Sequence, residues 1–393
     1  MKEDNRNRSQ AKVYRHRNLQ IIFGVTLVAV MGVATITPAF PKIVRELNIT
    51  DKQVGLLITF FTLPGVILTP IFGILADRLG RRKVLVPSLI LFGVAGGACA
   101  FVREFNTLLL LRFFQGIGGA ALGSLNVTII GDIYTEKQRI AAMGYNSTVL
   151  SLGTASYPAV GGVLATFGWY YPFALPFMAI PMGLVVLCCL KNPEPEIQEG
   201  FIEYLKNALQ SVKSLRVAFL FTAGLITFII LYGAYLTFFP LLLGHSFTAS
   251  PFVIGLLMSS MSVTTALTSS TVERMIRIRS ERFLLQTAFV LYTVSLSLIP
   301  FCHNIWVFLI PVLIFGFAQG INIPVIVTML TASAPLKYRG AFMSVNGLVL
   351  RLGQTVGPLV MGEIFILWGM PGVFFAGACF STLLVVLLVI MLR

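Results

Sequence analysis

Three ionisable side chains stand inside long apolar runs of a 393-residue chain that keeps the rest of its 29 Lys and Arg and 15 Asp and Glu outside them. They are Arg112, Arg351 and Glu363. A charge in hydrocarbon is costly unless it meets a partner or a water-filled cavity, so each is a candidate for binding an opposite charge or moving a proton. Arg112 opens Arg112-Phe113-Phe114-Gln115-Gly116-Ile117-Gly118-Gly119, where Gln115 lies about one helical turn on and the glycines permit close helix approach. It stands near enough to the end of its run that reaching out to the interface is the plain alternative. Arg351 is near the middle of its run, where its alternative is to hold backbone carbonyls. Glu363 lies towards an end; burial favours the uncharged form of a carboxylate, which makes Glu363 the first candidate proton carrier and Asp132 the second. A solvated carboxylate is the other reading of Glu363.

A second charged constellation falls between runs, in Gly73-Ile74-Leu75-Ala76-Asp77-Arg78-Leu79-Gly80-Arg81-Arg82-Lys83. Glycine there permits a tight turn that carries one carboxylate among several guanidiniums. Other chemistry is not indicated. His16, His245 and His303 form no catalytic or metal set, and Cys99, Cys188, Cys189, Cys302 and Cys379 lack metal-ligand spacing. No G-x4-G-K-[ST] loop is present, so ATP-driven transport is not expected. Neither a cofactor nor a metal is expected.

The elements that hold these residues follow from composition. With 56% hydrophobic and 11% charged residues, the chain is too apolar for a soluble domain, and its mean hydropathy is +0.88. At about 20 apolar residues per crossing and short connections, the length holds roughly twelve crossings. Spans are expected near 19–40, 53–75, 84–102, 107–131, 141–164, 172–190, 217–241, 252–272, 284–301, 306–332, 341–366 and 371–392. The first is read as uncleaved, being too long for a signal-peptide core.

The net charge of +14 would suggest nucleic acid in a soluble chain. Its distribution points elsewhere. With a cytoplasmic N-terminus, the tail, the C-terminal Arg393 and the even-numbered connections take 23 of the 29 Lys and Arg, while outer connections take only Lys42, Arg45, Lys52 and Arg103. The positive-inside rule therefore places both termini in the cytoplasm, with the basic face on anionic lipid and no nucleic acid expected.

The chain also repeats itself. At an offset of 200 residues, Arg139, Met143, Asn146, Gly153, Pro158 and Gly162 match Arg339, Met343, Asn346, Gly353, Pro358 and Gly362. Duplication in a bundle of this size implies two six-span halves with a central cavity. The expected organisation is a tail at 1–18, a half at 19–190, a linker with a short amphipathic helix at 191–216, and a half at 217–393.

The 73–83 segment resembles the G-x-L-a-D-R-x-G-R-[KR] signature of the major facilitator superfamily. The Arg112 segment is similar to that family's R-x-x-Q-G-x-G pattern. Gly144, Gly153, Pro158, Gly161 and Gly162 fit its antiporter motif g-x8-G-x3-G-P-x2-G-G, with Tyr157 in place of the third glycine. The resemblance covers essentially the whole chain and is nearest to the twelve-span drug:proton antiporters. It implies an all-α membrane protein of twelve transmembrane helices in two pseudo-symmetric halves. It further implies that Gly73, Asp77, Arg78, Gly80, Arg81, Arg82 and Asp132 form a conformational switch, in which Asp77 faces the start of span 11 near Ala341 and Arg81 bridges to Asp132. Proton coupling is implied by resemblance alone, since span 1 holds no acid.

Two arginines against one glutamate make the interior electropositive, which suits neutral amphiphiles or organic anions better than cations. Phe228, Tyr232, Tyr235 and Phe239 recur at helical spacing, giving a polar-tipped aromatic wall or plain packing. Asn126, Asn146, Gln319, Asn322, Asn346 and Gln354 offer hydrogen bonds to a ligand or between helices. The expectation is a monomeric, multi-pass exporter of small amphipathic compounds in the cell (inner or plasma) membrane, working by alternating access in exchange for protons. The alternatives are an exporter dedicated to one metabolite, such as a siderophore, sugar or lipid, and a sensor that keeps the fold without transporting.

Overall fold

The computed structural model describes residues 14, 16–190, 215–333 and 339–391. Most of the tail and nearly all of the 191–216 linker, with its expected short helix, lie outside the described residues, as does the side chain of Ala341. Every regular element among the described residues is helical. In chain order they are α1 (Arg17–Glu46), α2 (Asp51–Leu79), α3 (Arg81–Ala98), α4 (Phe105–Ile133), α5 (Glu136–Phe167), α6 (Tyr171–Cys189), α7 (Leu215–Ser246), α8 (Pro251–Ile278), α9 (Glu281–Phe301) and α10 (Ile305–Ser333). A final helical stretch, Arg339–Met391, breaks at Gly369 into α11 (339–368) and α12 (370–391). Among the described residues, ten segments are long and apolar enough to cross a bilayer, one of them containing that break. The eighteen-residue α3 opens on Arg81, Arg82 and Lys83, and including it makes the arrangement consistent with twelve crossings.

The boundaries have local causes. Gly80 has φ 98° between α2 and α3, and Gly369 has φ 67° between α11 and α12, both in the left-handed region that favours glycine. Glu104 caps α4 by accepting from the backbone N–H of Asn106 at 2.8 Å and Thr107 at 2.6 Å. Ser250 and Ser280 cap α8 and α9 in the same way. One element departs from helical expectation: Ile230–Phe238 of α7 is a π-helix.

Packing gathers the described helices into two compact units. One comprises Met1–Thr35, Phe60–Thr154 and Tyr170–Gln198, and the other Ile36–Thr59, Ala155–Trp169 and Glu199–Arg393. The boundary thus passes through α1, α2 and α5 as well as near the linker. In the first unit, α4 lies on α3 so closely that a Cβ at Gly118 would stand 2.6 Å from Ser88 O. In the second, α10 meets α8 likewise, with Gly316 against Met261 O and Gly320 against Thr265 O. These glycine seams replace the hydrophobic drive that is weak between helices in lipid.

Candidate functional site

Charged clusters and buried amides mark four places. The first, in the first unit, joins the last turns of α2 and α4 to the first residue of α3. Arg81 is 7% exposed, donates from Nε to Asp132 Oδ2 at 3.0 Å, and is ion-paired with Asp77. Each of the three opposes the dipole of its own helix. Asp77 and Asp132 stand at negative C-terminal ends and Arg81 at a positive N-terminal end, a misplacement that costs about 0.3–1 kcal/mol apiece. Their mutual contact offsets this, so the cluster is compensated while the three helix ends stay together. Arg78 and Arg82 are exposed, and nothing lies within 4 Å of a Cβ built at Gly73.

Deeper in the first unit, Arg112 is 1% exposed, so it does not reach out to the interface. Its Nη1 donates to Gln115 Oε1 at 2.7 Å, and its guanidinium lies 4.4 Å above the Phe61 ring. A polar triad sits nearby in sequence: Asn126 Nδ2 donates to Thr26 Oγ1 at 2.9 Å, and Thr26 Oγ1 donates to Asn146 Oδ1 at 2.6 Å. Thr26 thereby ties α1 to α4 and α5.

The second unit repeats part of this motif. Asn322 Nδ2 of α10 donates to Thr227 Oγ1 of α7 at 2.8 Å, and Asn346 of α11 is 4% exposed. Thr227, Asn322 and Asn346 stand close to 200 residues after Thr26, Asn126 and Asn146, so the duplication has kept the Asn–Thr bond, while Asn346 Oδ1, unlike Asn146 Oδ1, is buried without a hydrogen-bond partner among the described residues. Asn126 therefore serves a helix contact. The aromatic run of α7 is divided by the π-helix. Phe228 and Tyr232 stack with ring centroids 5.8 Å apart and remain partly exposed. Tyr235 is instead 1% exposed and stacks on Phe239 and Phe315, within the core formed with α10. The physical reason is the extra residue per turn, shown by Thr237 Oγ1 bonding Tyr232 O five residues back, which rotates the later rings away from the earlier pair.

Arg351 of α11 is partly buried, and the Tyr232 phenol is its electrostatic neighbour. Glu363, three turns further along, is 65% exposed and paired with Lys52 at 2.7 Å, so it is the solvated carboxylate of the two readings and the burial expected of a proton carrier is not found there. Around that pair the second unit is closely closed, at what is here termed the Lys52 end. Thr59 Oγ1 donates to Thr355 O at 3.0 Å, and a Cβ at Gly55 would stand 3.1 Å from Pro358 Cβ, so α2 lies on α11. The end of α5 lies equally close on α8: Gly162 abuts Pro251 O, Gly255 abuts Pro158 O, and Ala159 N–H donates to Ser259 Oγ at 3.0 Å. Lys42 closes the C-terminus of α5 by donating to Ala165 O and Thr166 O, each at 3.0 Å. His245 pairs with Asp51 at 3.1 Å.

Of the antiporter-motif residues, Pro158 and Gly162 meet α8, Gly161 is buried, Tyr157 is partly buried, and Gly144 has open space around it. Sequence reasoning did not single out Thr26, Thr227, Phe61, Lys52 or Ser259. Only Thr26 and Thr227 carried a signal, their place in the 200-residue repeat.

Comparison with known proteins bears on the family and the fold. Over 356 residues the chain is 27% identical to Multidrug resistance protein 1 of Bacillus subtilis, covering 88% of this chain and 89% of that one. It is 32% identical to the Bacillibactin exporter of the same organism over 164 residues, 40% of this chain and 41% of that one. Among solved structures, a point variant of the nucleoside transporter NupG superposes with a TM-score of 0.82 at 13% identity, covering 96% of this chain and all of that one, a likeness of fold. The profile described as Major Facilitator Superfamily matches residues 22–247 and 220–393. With both halves matched and a helical fold carrying the Asp77–Arg81–Asp132 cluster, this multi-pass membrane chain belongs to the major facilitator superfamily.

Proposed function

We propose that the protein exports small amphipathic compounds across the cell membrane by alternating access, in exchange for protons, with both termini in the cytoplasm. The observation that carries the reading is the closure at the Lys52 end. There α2 lies on α11 and α5 on α8 through glycine, proline and small polar residues, with one exposed ion pair across the seam. Such smooth backbone contacts part and re-form without repacking large side chains. Export as the direction is supported by the full-length likeness to Multidrug resistance protein 1.

The proposed cycle uses two charge devices. At the Asp77 end, three charges that oppose their own helix dipoles act as a switch whose balance changes when the helix ends move. At the Lys52 end, the exposed Lys52–Glu363 pair ties α2 to α11 across the seam, so it breaks when that seam opens and re-forms when it closes. An exposed pair is worth about 0.2–1 kcal/mol, enough to bias an equilibrium by a few-fold without locking it. An exporter dedicated to one metabolite is the second reading, favoured by the stretch shared with the Bacillibactin exporter.

The test is accumulation of a panel of fluorescent amphiphiles in cells lacking their own exporters. Expression should lower accumulation of several panel members, and a proton ionophore should restore it. Unchanged accumulation of all of them would overturn the reading.

A further inference from the structure

The partly buried guanidinium of Arg351 stands near the middle of its span, and no counter-charge meets it among the described residues. Among the described residues, Arg351 makes no ion pair and its side chain makes no hydrogen bond. Arginine does not lose its proton in a protein, so the charge cannot be removed by burial as that of a lysine or a glutamate can. Glu363, the one carboxylate within the same span, lies twelve residues along the helix, about 18 Å at 1.5 Å per residue, and is committed to Lys52. The three usual structural roles of an intramembrane arginine are to pair with an acid, cap a carbonyl or reach the interface. The described contacts supply neither of the first two, and mid-span placement argues against the third.

Its surroundings are built for something. Four residues before Arg351, on the same helix face, is Gly347, where an added Cβ would meet nothing within 4 Å. Four residues after it is Thr355, which touches Thr59 where α2 closes on α11. Arg351 is therefore one turn from a sealed contact, with the uncrowded Gly347 one turn away on its other side. Beside it, the Tyr232 phenol is its electrostatic neighbour, and Tyr232 is stacked on Phe228 at an interplanar angle of 15°. Gly353 lets α11 approach this pair, for a Cβ added there would stand only 2.8 Å from Phe228 Cβ. The π-helix sets these two rings apart from the buried Tyr235 and Phe239. The corresponding residue of the first half is Ser151, so the charge belongs to the second half alone.

We propose that Arg351, with the Tyr232 hydroxyl and the Phe228–Tyr232 ring pair, forms a subsite for the anionic group of an aromatic amphiphile, a carboxylate or sulfonate joined to a ring system. The guanidinium takes the anion through two parallel N–H donors, the phenol adds a third donor, and the stacked rings receive the ligand's aromatic body. This deepens the export reading and rests on it for the role of the subsite as part of a substrate path. It makes aromatic anions the preferred cargo over cations, since a permanent guanidinium repels an ammonium in the same place.

The test uses three matched probes, 1-naphthoate, 1-naphthylmethanol and 1-naphthylmethylammonium, with equilibrium dialysis against the full-length protein in lipid nanodiscs. The wild type should bind the naphthoate at least tenfold more tightly than the alcohol, and the ammonium most weakly. Arg351→Gln should abolish that preference while leaving affinity for the alcohol within about twofold; Arg351→Lys should keep part of it, and Tyr232→Phe should weaken naphthoate by a few-fold. No anion preference in the wild type, or a preference unchanged in Arg351→Gln, would overturn the subsite. Should Arg351→Gln fail to fold, the wild-type ranking and Tyr232→Phe still decide. Naphthylmethanol movement in liposomes under a pH gradient separates the two readings. Flux of the alcohol without an anion preference removes the subsite alone, whereas an Arg351-dependent preference without flux of any probe removes export and leaves the binding site.

Discussion

Gly255→Ala is the sharpest perturbation of the proposed closure. A Cβ at Gly255 would collide with Pro158 O and stand 3.2 Å from Ala159 Cα, both of them backbone, so no side-chain rotation relieves the contact. Either α5 and α8 separate or the strain remains, and overpacking of this kind costs about 1–3 kcal/mol. The helix-propensity gain of alanine over glycine, about 1 kcal/mol, applies whether the seam is closed or open, and so cancels from that equilibrium. The population of the closed form should therefore fall by about 5- to 150-fold relative to the open form. The assay is pulsed electron paramagnetic resonance on spin labels at Val160 of α5 and Leu256 of α8, which are exposed and lie off the contact, in a background without native cysteines. Gly255→Ala should move the distance distribution from short to long and depress efflux. Gly131→Ala, at a helical site with nothing within 4 Å, is the control for propensity and should leave the distribution in place. An unchanged distribution in Gly255→Ala, or equal shifts in both variants, would refute the claim that this seam must part.

Three further outcomes follow from the charges. Asp77→Asn should impair transport while leaving ligand affinity nearly intact, because the residue balances Arg81 at the helix ends; normal transport rates with lost affinity would contradict this. Glu363→Gln should weaken closure by the worth of one exposed ion pair, and the exchange Lys52→Glu with Glu363→Lys should restore more closure than either change alone, measured with the same spin-label pair. Hydrogen bonds from the Thr107 side chain and from the backbone N–H groups of Thr107 and Asn106 hold the Glu104 carboxyl below the ordinary glutamate range. A depressed value means the cap contributes its stability above the unfolded-state range and loses it as the pH falls through the lowered one. Glu104→Ala should accordingly lower the melting temperature at neutral pH, and the difference from wild type should shrink as the pH is brought below that range.

Much of this was legible in the chain because lipid leaves few options. Backbone groups must be satisfied within each crossing, so long apolar runs with polar breaks locate helices well, and Gly80 marks a real turn between two of them. The 200-residue repeat exposed the shared amides, since duplication preserved residue types at matched positions. What stayed hidden depends on contacts remote in sequence. Lys52 and Glu363 are 311 residues apart, and nothing near Lys52 distinguishes it from an ordinary loop lysine. Phe61 offered no sign that a guanidinium would lie over its ring. At Tyr235 the structure gives the packing alternative for the aromatics of α7, which a 3.6-residue period could not separate from a cavity wall because it assumes regular geometry. The π-helix adds a residue, and hydropathy carries no trace of it.

The account depends most on proton-driven export, and purified protein in liposomes measures it directly. With an imposed pH gradient, a panel of amphiphiles should move against their own gradients, and adding a transported compound should drive protons the opposite way, both effects collapsing with an ionophore. If no compound moves and no proton flux follows addition of any of them, the central claim is wrong.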